Sequence, residues 1–549
     1  VGNNTNGGTW DLATCVFTVA PTAVNAGAYS FVGGGLQNDA TGAYSFVGSG
    51  DRNLSSGNFS VAVGGSQTCA TNQGASVVGG ERNNATGACS FMGGGRLNNA
   101  SNVNSTVAGG FNATASGYRS SVLGGQSNTA SGNYTFAGAG CTNTASGGFS
   151  VVVGGVSNTS SNYGAVIAGG CGNNNSGRYA SISGGLCNCT SSCATFIGGG
   201  IANLASALAS VVGGGNCNNI INSGGACLAY GAVVVGGVGN NTTGGTWALA
   251  SCSFTVAPTA VNAGIYSFVG GGLQNVVSKE YGIIGGGSCN TISCNGSYAS
   301  LLGGLCNTSS GYVAFVGGGQ LNIACKSGSV VVGGRCNTTS GDDTIVGGFK
   351  NTASGYRSVV GGECNTTSGY ASVSFGKLNT ASGACASILG GSGNTASGTW
   401  SGVFGCNITN SCACSFMSNQ LRACNIFGAG AICADAGGTI IPVVSDCRLK
   451  ENILPLDLGL GSVLSLNPVS YEWKNKENGC GKHIGFIAQE IKEIIPSSVF
   501  KTESGYYGFD MNKVVPVLAN SIKELKGCND SLRYEIDILK NIIKNNNLA

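Results

Sequence analysis

The chain has 549 residues, of which 98 are glycine and only 9% are charged, and its formal net charge is +3. Glycine at this level without a Gly-X-Y period excludes collagen, and the steady supply of Val, Ile, Phe and Ala excludes a disordered linker. Charge so sparse gives no basic patch for nucleic acid, and the apolar runs fall far short of the roughly 20 residues that cross a bilayer, so neither nucleic-acid binding nor membrane insertion is expected.

Residues 1–405 read as one repeat. Asparagine recurs at 128, 143, 158, 173, 188, 203 and 218, and again at 307, 322, 337, 351, 365, 379 and 394, in steps of 14 or 15. Between them runs a unit such as Asn128-Thr-Ala-Ser-Gly-Asn-Tyr-Thr-Phe-Ala-Gly, with a short alternating segment bounded by turn residues. Alternation predicts strands, and Gly-Gly supplies positive φ at a corner. A period this short fits two short strands and two turns, one coil of a parallel β-roll, with successive coils stacked at roughly 4.8 Å. The recurring Asn is expected at corners, left-handed and hydrogen-bonded to its copies. Gly, Ala and Ser fill so small a coil, so Val, Ile and Phe are expected to be buried by packing three identical rolls around a common axis. The unit resembles the head repeats of trimeric autotransporter adhesins, which implies a trimeric all-β shaft.

A larger duplication overlies the small one: Val1–Asn25 returns almost unchanged as Val238–Asn262. Trp10/Trp247 and Pro21/Pro258 break the coil pattern, so each copy, within 1–38 and 238–275, is expected to be an insert that either offers a ligand surface or plugs the roll. Many of the 26 cysteines precede a repeat asparagine: Cys187, Cys217, Cys289, Cys306, Cys336, Cys364 and Cys406. They read as small fillers stacked in register, reduced more often than bridged, with the redox compartment left open. Pairs such as Cys187/Cys189 and Cys412/Cys414 lack neighbouring histidines, and no metal or cofactor is expected.

Residues 406–444 form a neck in which the repeat decays. At Ser445 the composition changes: the final 105 residues hold 13 of the 25 basic and 13 of the 22 acidic side chains. In the last stretch Ile522, Asn529, Ile536 and Ile543 step by seven, as do Leu525, Leu532 and Leu539, which predicts a coiled coil with one polar a position fixing register.

The opening Ser445-Asp446-Cys-Arg448-Leu-Lys450-Glu-Asn-Ile453 is followed by Pro468-Val-Ser-Tyr-Glu-Trp473, His483-Ile-Gly-Phe-Ile-Ala-Gln-Glu490 and Tyr507-Gly-Phe-Asp510-Met. In this order they resemble the intramolecular chaperone domains of phage endosialidases and other viral tail spikes. The resemblance implies an α+β module over 445–549 that trimerises, guides folding of the upstream rod and cuts itself off between Val444 and Ser445. It puts the nucleophile at Ser445 and the base at Lys450, with Asp446 and Arg448 in support. A serine hydroxyl needs such a base, and a lysine serves only if its pKa is depressed. Arg448 would either supply the depressing charge or pair with a carboxylate. Cys447 as rival nucleophile and His483 as general base are the weaker alternatives.

The expectation is therefore a homotrimeric viral fibre at the virion surface, binding a host glycan or protein receptor. A cellular trimeric adhesin, or a fibre with a non-cleaving trimerisation domain, is the alternative. Asp342-Asp343 is the one adjacent acidic pair and makes no glycosidase site. Ice binding by Thr ladders fits the Asn-Thr-Ala-Ser corners but leaves the C-terminal module unexplained.

Overall fold

The computed structural model describes residues 26–221, 230–248, 253–419, 446–474, 481–502 and 505–545, with short strands at 5–6, 9–11, 16–19, 22–23, 433–434 and 440–441. The chain divides into two compact units, Val1–Arg422 and Ala423–Ala549.

The first unit is a parallel β-solenoid. The coil that follows Asn128 shows its construction. Thr129–Ala130 is one two-residue strand and Phe136–Ala137 the other. Each pairs in parallel with its equivalent one coil on, Thr144–Ala145 and Val151–Val152. A third contact, absent from the two-strand expectation, is a single-residue bridge at Cys141, paired with Gln126 and Val156. A lone residue leaves no alternation in the sequence, so the hydropathy pattern is blind to it. The second strand of every coil joins one ladder of 25, from Phe31–Val32 to Phe416–Ser418. At the strand spacing that ladder is roughly 115 Å long.

The interior is closed within a single chain, which corrects the expectation that Val and Ile need partner chains. The second residue of the first strand is Ala or another small residue in most coils (Ala130, Ala145) and larger beside the insert (Ile220, Val277, Ile292), and it faces the second residue of the other strand (Val152, Ile167, Ile182, Ile197), all fully buried. What remains outside is the first and third positions of the 25-strand ladder. There Phe31, Val63, Leu123, Leu302 and Leu389 are exposed. Size alternates on this face: Phe46, Phe136 and Phe268 at the first position accompany Gly48, Gly138 and Gly270 at the third, while Ser76, Ser121 and Ser300 accompany Val78, Leu123 and Leu302. The opposite ladder presents hydroxyls, with Thr338, Thr352, Thr366, Thr380, Thr395 and Thr409 stacked in six successive coils.

The recurrent asparagine is buried and links three coils. Asn158 Nδ2 donates to Gly154 O at 3.0 Å in its own coil and to Gly170 O at 2.9 Å in the next. Its Oδ1 accepts from Asn173 N at 3.0 Å, while Asn158 N donates back to Asn143 Oδ1 at 3.1 Å. The ladder asparagines are not themselves left-handed, contrary to expectation. The residue just before carries that conformation, as Thr142 (φ 55°) does before Asn143. A second left-handed residue, Tyr134 (φ 57°), precedes the other strand. Positive φ costs a residue with Cβ roughly 1–2 kcal/mol. It also turns the amide over, so Thr142 N donates to Gln126 O and Tyr134 N to Tyr118 O of the preceding coil, while strand amides donate to the following one. Aromatic residues at the second corner stack on each other, Tyr134 on Phe149 at 4.8 Å and Tyr281 on Tyr298 at 4.6 Å. Asn407, preceded by Cys406, takes the left-handed place, and Ile408 stands in the asparagine ladder.

The first-strand ladder is split into 13 and 10 strands, ending at Asn219–Ile220 and resuming at Val276–Val277. Between them the duplicated insert leaves the coil as an antiparallel hairpin, Thr242–Thr243 with Thr259–Ala260 and Thr246–Ala248 with Ser253–Val256. Its counterpart pairs Thr5–Asn6 with Thr22–Ala23 and Thr9–Asp11 with Val16–Val19, with the same register shift at Thr9/Trp10 as at Thr246/Trp247.

The second unit is α+β. Helix α1 (Leu460–Leu464) is followed by a hairpin of Val469–Tyr471 and His483–Gly485, then α2 (Ala488–Ile494). A second hairpin, Val499–Lys501 with Tyr507–Phe509, leads into α3 (Val514–Asn545). Ile491, Ile495, Val514 and Val517 form its small core, with Leu458, Val463, Phe486 and Phe509 packed around it. Of the regions named above, the neck from 420 to 444 lies outside the described residues except for the strands at 433–434 and 440–441.

Candidate functional site

Val444 and Ser445 lie outside the described residues, so the site is built from Asp446 onward. Cys447–Leu449 is a single 3-10 turn. Asp446 caps it: Oδ1 accepts from Arg448 N at 2.9 Å, and the same carboxylate holds the Arg448 guanidinium at 2.6 Å. The Arg448 side chain stands in solvent and that of Asp446 is half-buried. The Arg448 side chain, and then its backbone N–H, holds the Asp446 carboxyl below the usual aspartate range; Asp446 in turn raises Arg448. Arg448 thus pairs with the Asp446 carboxylate. Lys450 ends the turn, its backbone N–H donating to Cys447 O at 3.1 Å, with an exposed side chain. Cys447 is exposed as well. His483 belongs to the first hairpin, stacked on Tyr471 with ring centroids 5.7 Å apart.

Leu449, the last residue of the turn, and Ile453 and Leu454 beyond it are exposed, and the segment is then taken up by α3. Asn520 Nδ2 donates to Leu456 O at 3.3 Å and Leu458 O at 2.9 Å. Glu524 Oε2 accepts from Leu460 N at 2.6 Å at the start of α1. These contacts, more than sixty residues apart in sequence, could not be read from spacing.

Helix α3 therefore has two faces. Val514, Val517, Asn520, Ser521 and Glu524 hold the unit together. The heptad positions lie on the other face: Ile522 is 66% exposed and Leu532 57%, and Leu525, Ile536, Leu539 and Ile543 are exposed too. Val515 and Leu518, also exposed, extend the seam one heptad toward the N-terminus. Asn529 sits among them, exposed. A helix this long with its apolar stripe in water is not a stable end state, because a coiled-coil seam gains its stability from facing helices. Among the described residues, no group of His, Cys, Asp or Glu could hold a metal ion, and no helix is long and apolar enough to cross a membrane.

A stacked parallel solenoid followed by a small α+β unit with an open heptad seam defines a fibre-like chain with a C-terminal assembly module. Residues 445–500 match the family described as chaperone of endosialidase. The match begins at the residue where the composition changes and stops before α3, so it covers the part of the C-terminal module that precedes the long helix. No curated protein matches the chain.

Proposed function

We propose that this chain is the shaft of a viral fibre or tail spike that attaches to a host surface through a glycan or protein receptor. It works as a homotrimer at the virion surface, assembled by its C-terminal intramolecular chaperone. The observation that carries the reading is the open seam of α3, in a module that matches a chaperone family and follows a solenoid with an apolar outer face along its length. Three α3 helices pack Ile522, Leu525, Leu532, Ile536, Leu539 and Ile543 against one another, with Asn529 setting register. Three solenoids then bring Phe31, Leu123, Leu302 and their equivalents together. Parallel coils of such low diversity pair readily in the wrong register, which is the task a guide at one end performs.

The module then removes itself. Lys450 Nζ takes the proton of Ser445 Oγ as the oxygen attacks the Val444 carbonyl. The Val444–Ser445 peptide bond breaks, the proton passes to the released Ser445 amine, and water hydrolyses the ester. Asp446 and Arg448 hold the turn between nucleophile and base. This reaction turns over once per chain and requires no cofactor.

The test is the mass of the purified trimer on a denaturing gel and by mass spectrometry. Wild type should yield a fragment beginning at Ser445. Ser445→Ala, Lys450→Ala and Lys450→Arg should stay full length while still forming trimers, since a guanidinium does not give up its proton. Deletion of 445–549 before expression should leave aggregated rod. A wild-type trimer that stays full length would make the module a chaperone without the reaction; soluble trimers of the truncated chain would refute the chaperone role.

A further inference from the structure

The residue before each ladder asparagine forms a row of left-handed corners, and cysteine occupies it repeatedly. Cys187 and Cys217 have Gly172, Ala202 and Gly239 as their counterparts in the coils on either side. Cys289 and Cys306 stand at the same position of consecutive coils, at φ 56° and 53°. They are pinned in register on both sides. Ser288 bridges Leu305, Cys306 N donates to Ser288 O at 2.9 Å, and Asn307 N donates to Asn290 Oδ1 at 3.0 Å. Equal dihedrals at stacked positions point the two side chains the same way. Consecutive coils stand roughly 4.8 Å apart, inside the window of about 4.4–6.8 Å between Cα atoms that a disulfide spans.

We infer that Cys289 and Cys306 are a disulfide-forming pair that clasps two consecutive coils. The coil between them is the widest of this stretch, with a step of 17 from Asn290 to Asn307, and carries an added turn at Ser293–Gly296. It follows the restart of the first-strand ladder at Val276. The clasp closes the coil that departs most from the repeat, just beyond the insert.

The oxidant is a small disulfide such as oxidised glutathione. Cys289, the more exposed, loses its proton to solvent and attacks one glutathione sulfur; a mixed disulfide forms and one glutathione thiolate leaves. Cys306, as thiolate, then attacks Cys289 Sγ, the protein disulfide forms and the second glutathione leaves. Two protein thiols are oxidised and one glutathione disulfide is reduced to two thiols. Burial, and then the Cys289 thiol beside it, pushes Cys306 up, which makes Cys289 the first nucleophile.

The experiment uses the full chain, reduced and folded, exposed to glutathione disulfide, alkylated and mapped by peptide mass spectrometry without reduction. The expected result is a linked pair of peptides containing Cys289 and Cys306, lighter by two hydrogens, with loss of both free thiols and their return on reduction. Cys336, which lies between Leu321 and Lys350 in the same row, should instead carry glutathione or remain free. Cys306→Ser should convert Cys289 to the stable glutathione adduct. If both wild-type positions remain alkylatable, or both end as glutathione adducts, the pair does not form and the inference is wrong.

Discussion

Replacing Asn158 by Ala tests whether the asparagine ladder holds the coils together. The change deletes the donor to Gly154 O and the acceptor of Asn173 N. Gly170 O keeps a second partner in Val156 N at 2.9 Å. The buried Asn173 N–H is thus left unpaired, while Gly154 O loses its donor at a half-buried position that water can reach. The first costs about 1–3 kcal/mol and the second adds less. The chain contains its own controls. Ala113 occupies one ladder position, so a single gap is compatible with folding. Thr68 occupies another, where its Oγ1 donates to Asn53 Oδ1 at 2.7 Å and Gly64 O at 3.3 Å, so Asn158→Thr should cost less than Asn158→Ala. A long stack of coils is best followed by its unfolding rate in guanidinium, read by circular dichroism and by loss of protease resistance. With tenfold per 1.4 kcal/mol, Asn158→Ala should unfold at least about tenfold faster than wild type if the bonds break before the transition state. An unchanged rate together with an unchanged midpoint would refute the ladder as a source of stability, and equal effects of Ala and Thr would refute the orphaned-group reasoning.

Two further predictions concern the C-terminal unit. The carboxyl of Asp446 should titrate below the ordinary aspartate range, and Arg448→Ala should return it toward that range; chemical shifts of the carboxyl carbon measure both. Because the folded pKa is depressed, the capped turn is favoured above the unfolded aspartate pKa and loses that support as pH falls through the folded value. Glu524→Ala should free the amide of Leu460 and loosen the segment from Leu456 to α1 while leaving the heptad seam intact, which amide hydrogen exchange of that segment and the mass of the native assembly report separately.

The solenoid was legible because a buried side chain that must meet its own copy recurs at the coil length. Asn158 bonds Asn143 and Asn173, and that requirement is visible as the step of 15. Which alternate residue of a two-residue strand faces inward was not legible. In Val151–Val152 both side chains are alike in the sequence, yet Val152 is buried and Val151 is only half-buried. The left-handed corners were hidden for another reason. Tyr134, Arg119 and Cys289 occupy them where glycine is the usual signal, because a hydrogen bond from the amide to the preceding coil offsets the strain. In the second unit, α3 follows from the heptad step of its apolar residues, while α1 and the two hairpins carry no comparable period. The hold of Asn520 and Glu524 on the strap behind the junction depends on how α3 packs, and no spacing in the chain encodes it.

The split in the first-strand ladder has a mechanical consequence. In a solenoid the bonds between coils lie along the stacking axis, so a pull on the two ends loads every coil-to-coil contact in series and the three ladders of each contact in parallel. From Val211 through Val233 to Phe268 the long ladder is continuous, and Asn216, Val238 and Leu273 keep the bridges. The third line of bonds is replaced there by Ile221 against Asn262 and by Val277 N on Asn241 Oδ1. Under tension the section around the hairpin carries the force without the strand pairing of the third ladder, and it is expected to yield first. The slack stored in the insert then pays out before any regular coil is lost.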